Sequence, residues 1–165
     1  MTKSYKFFKH KYGLLWLVFC FVALITLQNY QYQTPTSAYN KGFLERLDAE
    51  GHAIEKHVGK SDAYLRKRLD TEGISAASTF NDMAEAEDAI RTVLIKRGDL
   101  VQVWLDTERS TKKAFYHKMN KPVGRVLKRE WNATRVGNQA RVVLIRDNDY
   151  PEGFFILTAY PEIRK

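Results

Sequence analysis

Cysteine is almost missing from this chain, with Cys20 the only one among 165 residues. No intramolecular disulfide can form, so the fold must be held by packing alone. The bulky Phe19 just before Cys20 also argues against a lipoprotein attachment site. No internal repeat and no low-complexity tract occurs, which removes repeat architectures and biased-composition tethers from consideration. Val58-Gly59-Lys60-Ser61 has the look of a phosphate loop but lacks its first glycine, because Ile54 stands where that glycine must be. His52 and His57 lie too far round a helix to share one face, so a paired metal site is not expected. Neither a metal nor another cofactor is expected.

Long apolar runs are scarce as well, and the one exception is informative. Residues 13–27 (GLLWLVFCFVALITL) carry no charge and follow a tail, residues 1–12, with Lys3, Lys6, Lys9 and Lys11 and no acid. This is a membrane anchor or a signal segment, its length falling between a signal core and the roughly 17–25 residues of a spanning helix. No small-x-small cleavage motif follows closely, and Tyr12, Trp16, Tyr30 and Tyr32 sit where interfacial aromatics would, which favours retention. Lysines ahead of the run stay cytoplasmic. The expectation is an inner-membrane protein, single-pass, with its C-terminal domain outside the cytoplasm, or a periplasmic or secreted protein if the leader is cleaved. Residues 28–40, with Pro35, Thr36 and Ser37 and no periodicity, read as a linker.

One domain remains, residues 41–165. It is only mildly basic, because it holds 23 of the 27 Lys and Arg against all 19 acids, so most of the formal charge of +8 is local. Residues 109–135 concentrate it: Arg109, Lys112, Lys113, Lys118, Lys121, Arg125, Lys128, Arg129 and Arg135 face a single acid, Glu130. Such clustering is the footprint of a polyanion partner, or else a solvated face. Phe115, Tyr116, His117 and Trp131, interleaved with it, are rings on which bases can stack. Lys112, Lys113, Lys118, Lys121, Arg125, Lys128 and Arg129 are therefore candidate RNA contacts.

The periodicity predicts helices first. Phe43, Leu44 and Leu47 make a short stripe, and Ser61 is an N-cap for a helix from Asp62 that carries Leu65 and Leu69 on one face. The Thr79-Phe80-Asn81-Asp82 signal opens a longer helix with Met83, Ala86, Ile90, Val93 and Leu94 in phase until Gly98. A short helix over 99–106 follows. Strand-like runs begin only after residue 110: KAFYHKM, then PVGRVLKR beyond Asn120-Lys121, then RVVLIR, and GFFILTAY after the turn at Asp147-Asn148-Asp149. Helices followed by antiparallel strands make an α+β domain.

Four residues carry the chemistry. Alternation along the last strand puts Phe154, Ile156, Thr158 and Tyr160 on one face, so two hydroxyls are neighbours that can donate to one anionic oxygen cluster. His57 is a candidate base, since an imidazole titrates near neutrality, as abstraction of a ribose 2′-hydroxyl proton requires. Arg68, in the next helix, offers a guanidinium for charge growing on phosphate oxygens. His52 and His117 stand in reserve, and the group making the second proton transfer stays open.

GHAIEKHVGKSDAYLRKRL, ISAASTFNDMAEAEDAI, KPVGRVLKR, RVVLIRD and ILTAYPE stand in the order and spacing of a known family. Over residues 51–162 the chain resembles the bacterial ribonuclease-A-like toxin domain at the C-termini of contact-dependent growth inhibition effectors and other polymorphic toxins. The resemblance implies a catalytic role for His57, Arg68, Thr158 and Tyr160. It implies metal-independent RNA cleavage through a 2′,3′-cyclic phosphate, a cognate immunity protein, and a pancreatic-ribonuclease-like antiparallel sheet without disulfides. The membrane segment departs from that family. Two other readings compete: a catalytically silent, membrane-tethered RNA- or protein-binding module, and an exported envelope protein with no nucleic-acid role.

Overall fold

A computed structural model describes residues 38–164; the basic tail, the apolar run 13–27 and residues 28–37 lie outside the described residues. Among the described residues no helix is long and apolar enough to cross a membrane. The compact unit begins at Ala38. Tyr39 already belongs to it: its ring meets Phe43 edge-on at 5.4 Å, and its carbonyl accepts from Arg91 Nε at 2.7 Å.

Three helices come first: α1 (Phe43–Leu47), α2 (Ala53–His57) and α3 (Asp62–Thr71). The Ser61 hydroxyl accepts from the Tyr64 amide at 3.2 Å and caps α3, which buries Leu65, Arg68 and Leu69. A short strand, β1 (Ala76–Thr79), follows, then α4 (Met83–Lys96) and α5 (Gly98–Thr107). At the start of α4 the Asp82 carboxylate accepts from the Glu85 amide, while Glu85 reaches back to the Asn81 amide, so two free donors are satisfied reciprocally. Gly98 does not end the helical region. It opens α5, and Arg97 closes one helix and starts the next.

The sheet is antiparallel in the order β1-β2-β3-β4, with β2 (Lys112–Lys128), β3 (Arg135–Arg146) and β4 (Phe154–Glu162). The α+β expectation holds in these described elements. Two details differ from the sequence reading. No strand is legible in Ala76–Thr79, whose small and polar residues become β1 only through pairing with Arg125–Lys128. The two runs around Asn120-Lys121 form one continuous strand of 17 residues. Its pairing with β3 lapses between Lys118 and Val123, which accommodates Pro122, a residue with no N–H to give a ladder. Gly124 then bends the strand at φ +54, and a Cβ there would lie 2.4 Å from the Thr79 carbonyl, so only glycine lets β2 serve β3 and β1 in turn.

α1, α2 and α4 pack with one face of the sheet around Ile90, Trp104, Phe115, Val142, Leu144 and Ile156. A second cluster under α3 joins Leu65 and Leu69 to Ala77 and Leu127. α3 is thereby fixed on the β1–β2 end of the sheet.

Candidate active site

The turn before α2 meets the last strand at a bulge. Ile156 pairs with Leu144 and Thr158 pairs with Val143, so Leu157 is an extra residue in β4. Partners across a ladder share a face, and adjacent residues of β3 point to opposite faces. Ile156 and Ala159 therefore face the core, while Thr158 and Tyr160 turn to the other side. This corrects the strict alternation expected from sequence. Thr158 and Tyr160 do share a face, but not with Phe154 and Ile156, and without the bulge both hydroxyls would point into the core.

The bulge docks on the turn before α2. The His52 amide donates to the Leu157 carbonyl at 3.0 Å, and a Cβ on Gly51 would stand 2.0 Å from the Ile156 carbonyl. Glycine is required by this close approach. Asp48 secures the other side, its two carboxylate oxygens accepting from the Ala53 and Ile54 amides at 2.8 Å each, which caps a helix whose own N-cap side chain makes no cap bond. His57, the last residue of α2, is held from beyond as well: its carbonyl accepts from the Phe80 amide, and the Gly59 amide donates to the Phe80 carbonyl.

His52, His57, Arg68, Thr158 and Tyr160 consequently line one cleft of about 570 Å³, together with Ser78 and Lys128. His57 is 8 % exposed, and its ring lies 5.2 Å from that of Tyr160 at a tilt of 31°. Its Nδ1 stands 2.9 Å from the Ser78 carbonyl. A carbonyl can only accept, so Nδ1 carries the proton and Nε2 keeps its lone pair. Burial pushes the His57 imidazole down to about 4, and charge at Arg68, His52 and Lys56 pushes the same way, against the Ser78 bond. His57 is neutral at pH 7.

That shift makes a stability prediction. The folded ring takes its proton near pH 4 and an exposed one near 6.5, so between those values the unfolded chain binds the extra proton. Stability from this group is complete above 6.5 and falls away as the pH drops towards 4, by about 3 kcal/mol at pH 4. Urea midpoints measured from pH 7 to pH 4 should fall more gently for His57→Gln than for the wild type.

Arg68 is 8 % exposed, with Nε and Nη2 donating to the two oxygens of Glu72 at 2.9 and 2.8 Å. Glu72 sits one turn on, and this fork fixes the guanidinium plane while Nη1, with a long 3.4 Å contact to the Lys56 carbonyl, keeps donors to offer. Thr158 Oγ1 is buried with no hydrogen-bond partner among the described residues. An orphan hydroxyl on a cleft wall is a donor awaiting an acceptor. Thr158→Val keeps the shape and removes the hydroxyl, so stability should hold or rise slightly, which melting curves check. Burial raises the Tyr160 phenol above its ordinary value, so it stays a proton-bearing donor across the physiological range.

The remaining candidates divide. His52 lines the cleft, its imidazole lowered by burial and by Lys56. His117 does not: it pairs with Ala140, on the face opposite Tyr160, and lines a separate cleft with Asp88 and Lys121. Of these basic residues, Lys128 lines the His57 cleft. Lys112 and Lys118 are exposed on the same face of β2 as Tyr116. Arg129 donates to the Leu69 and Ile74 carbonyls and Arg125 to that of Lys60, tying elements together. Lys113 pairs with Glu108, and Lys121 with Asp88. The run is thus no single patch. Two residues that sequence reasoning missed are Glu72, whose i,i+4 spacing to Arg68 is a legible signal, and Ser78, whose carbonyl gives none. Among the described residues no group of three His, Cys, Asp or Glu side chains is placed to hold a metal ion.

The model of the bacterial CdiA-CT RNase A domain family matches residues 51–161. The crystal structure of a CdiA-CT/CdiI complex from Y. kristensenii 33638 is similar, with a TM-score of 0.65 and 28 % identity over 68 % of this chain and 99 % of that one. No curated protein matches. The matched residues contain the Gly51–His57 turn, the Arg68 helix and the bulged strand with Thr158 and Tyr160, the same parts that build the cleft. The chain belongs to the bacterial CdiA-CT RNase A domain family, a family of ribonuclease-A-like toxin domains.

Proposed function

We propose that this protein is a toxic endoribonuclease that cleaves RNA by internal attack of the 2′-hydroxyl, leaving a 2′,3′-cyclic phosphate, without a metal ion. The observation that carries the reading is the neutral, buried His57 with Nδ1 committed to Ser78, facing a cleft shared with Arg68, Thr158 and Tyr160. His57 Nε2 takes the 2′-hydroxyl proton, the O2′–P bond forms, and the P–O5′ bond breaks. Arg68 neutralises charge on the non-bridging oxygens as they become phosphorane-like, and the Thr158 and Tyr160 hydroxyls donate to them. The departing 5′-oxygen takes a proton from a second group in the cleft, for which His52 and Tyr160 are the two candidates. Residues 13–27 anchor or export the chain, with the catalytic domain outside the cytoplasm, where the producer's own RNA is spared. A cognate immunity protein is the expected partner, in keeping with the paired CdiA-CT and CdiI of the similar structure.

The test is a digest of end-labelled RNA by the full-length chain with excess chelator. Cleavage leaving a cyclic phosphate terminus, blocked by 2′-O-methylation at the cut site, is the expected result. Loss of cutting on chelation, or equal cutting of the 2′-O-methyl substrate, overturns the mechanism; salt-sensitive binding without cutting would make the chain a silent binding module.

A further inference from the structure

Tyr116 stands on the same face of the sheet as the catalytic hydroxyls. It opposes Arg141 on β3, which in turn opposes Tyr160 on β4, so the three form a row across neighbouring strands. Strand spacing puts Tyr116 about 10 Å from Tyr160 along that row. Tyr116 is 41 % exposed, and three guanidiniums surround its ring: Arg164 at 5.2 Å, Arg141 at 5.5 Å and Arg97 at 5.8 Å from its centroid.

Two of the arginines are held by their side chains and the third by its backbone. Arg97 Nε donates to the Tyr116 carbonyl at 2.8 Å. Arg141 Nε donates to Glu162 Oε1 at 2.7 Å, and Gln139 holds the other oxygen of that carboxylate. Arg164 is clamped by Asn138, whose side chain both donates to its carbonyl and accepts from its amide. Glu162 supplies the one carboxylate bound within the group, so the patch stays positive. Arg164 and Glu162 also line the catalytic cleft, which makes patch and cleft continuous.

We propose that Tyr116, Arg97, Arg141 and Arg164 form a subsite for an RNA nucleotide flanking the scissile phosphate, a reading that rests on the RNA cleavage proposed above. The Tyr116 ring stacks on the base and the guanidiniums hold the adjoining phosphate. An exposed ring stacks with any base, and guanidiniums suit phosphate oxygens, so the subsite lends affinity without strong sequence choice. The seven basic residues singled out in the sequence include none of these three arginines, because they come from α5's N-cap, β3 and the C-terminal end.

The experiment measures binding of the full-length chain to a fluorescent RNA pentanucleotide of mixed sequence, 2′-O-methylated throughout so that it cannot be cut, and to the matching dinucleotide. Tyr116→Ala should raise the Kd for the pentanucleotide about tenfold and Tyr116→Trp should preserve it. Arg164→Gln and Arg97→Gln, at less buried positions, should each lower the slope of log Kd against log salt by about 0.7. Dinucleotide binding should not change. Unchanged pentanucleotide affinity and slope in all three weakening variants overturn the subsite and assign the patch to a protein partner. Tyr116-dependent binding with no cleavage of unmodified RNA would overturn the proposed chemistry and leave the subsite standing.

Discussion

On the proposed mechanism, His57→Ala is expected to lower kcat/KM on RNA by about 10²–10⁴-fold, the range a positioned general base contributes. KM should change little, because the ring sits in the wall of the cleft and its work falls on the proton in flight. Burial and fixed tautomer set the size of the effect. A ring at 8 % exposure with Nδ1–H held by Ser78 presents one lone pair in one direction, and no other imidazole shares that arrangement. His117 lies in another cleft, and among the described residues His52 is the only further histidine lining this one. The variant should also lose the part of the acid sensitivity that comes from His57, since the buried imidazole is gone. Single-turnover cleavage across pH, alongside the urea midpoints, reads both. A variant that cuts as fast as the wild type would remove His57 from the mechanism.

Arg68→Ala is expected to cost about 10²–10³-fold in kcat, as loss of a preorganised donor to developing charge does. Arg68→Lys should recover little of it: a point charge cannot fork onto both Glu72 oxygens and still present donors to the phosphate. The truncation also leaves Glu72 without its partner, but that carboxylate is exposed enough for water to replace the guanidinium, so folding should survive. Glu72→Gln separates the roles. If Glu72 only orients Arg68, its variant should lower kcat moderately and leave the rise of rate with pH where His57 puts it. Steady-state rates for the three variants, with melting temperatures as control, decide the matter.

Much of this was legible before any coordinates. The helix from Ser61 and the helix from Asp82 follow from caps and apolar phase, both of which act within a turn or two of chain. The split into helices then strands was visible in composition. β1 was not, because Ala76–Thr79 has no strand character of its own and gains it only from β2. Nor was the single long β2: its break at Asn120-Lys121-Pro122 reads as a turn, whereas Gly124 and a gap in the ladder let one strand run through.

The candidate site shows the same division. On the proposed mechanism the residue types at 57, 68, 158 and 160 are set by chemistry, since phosphate cleavage calls for a base, a guanidinium and donors wherever the chain brings them. Sequence alone determined that list, the helical neighbourhood of Arg68, and the absence of disulfide support, since each depends on side-chain identity and short-range spacing. Only the tertiary structure decided that Leu157 bulges and turns both hydroxyls away from the core, that Gly51 admits the β4 carbonyls, that Ser78 fixes the tautomer of His57, and that His117 is excluded. Those outcomes depend on contacts between segments well separated along the chain, from the 21 residues between His57 and Ser78 to about a hundred between Gly51 and Ile156, and local propensity carries no term for them.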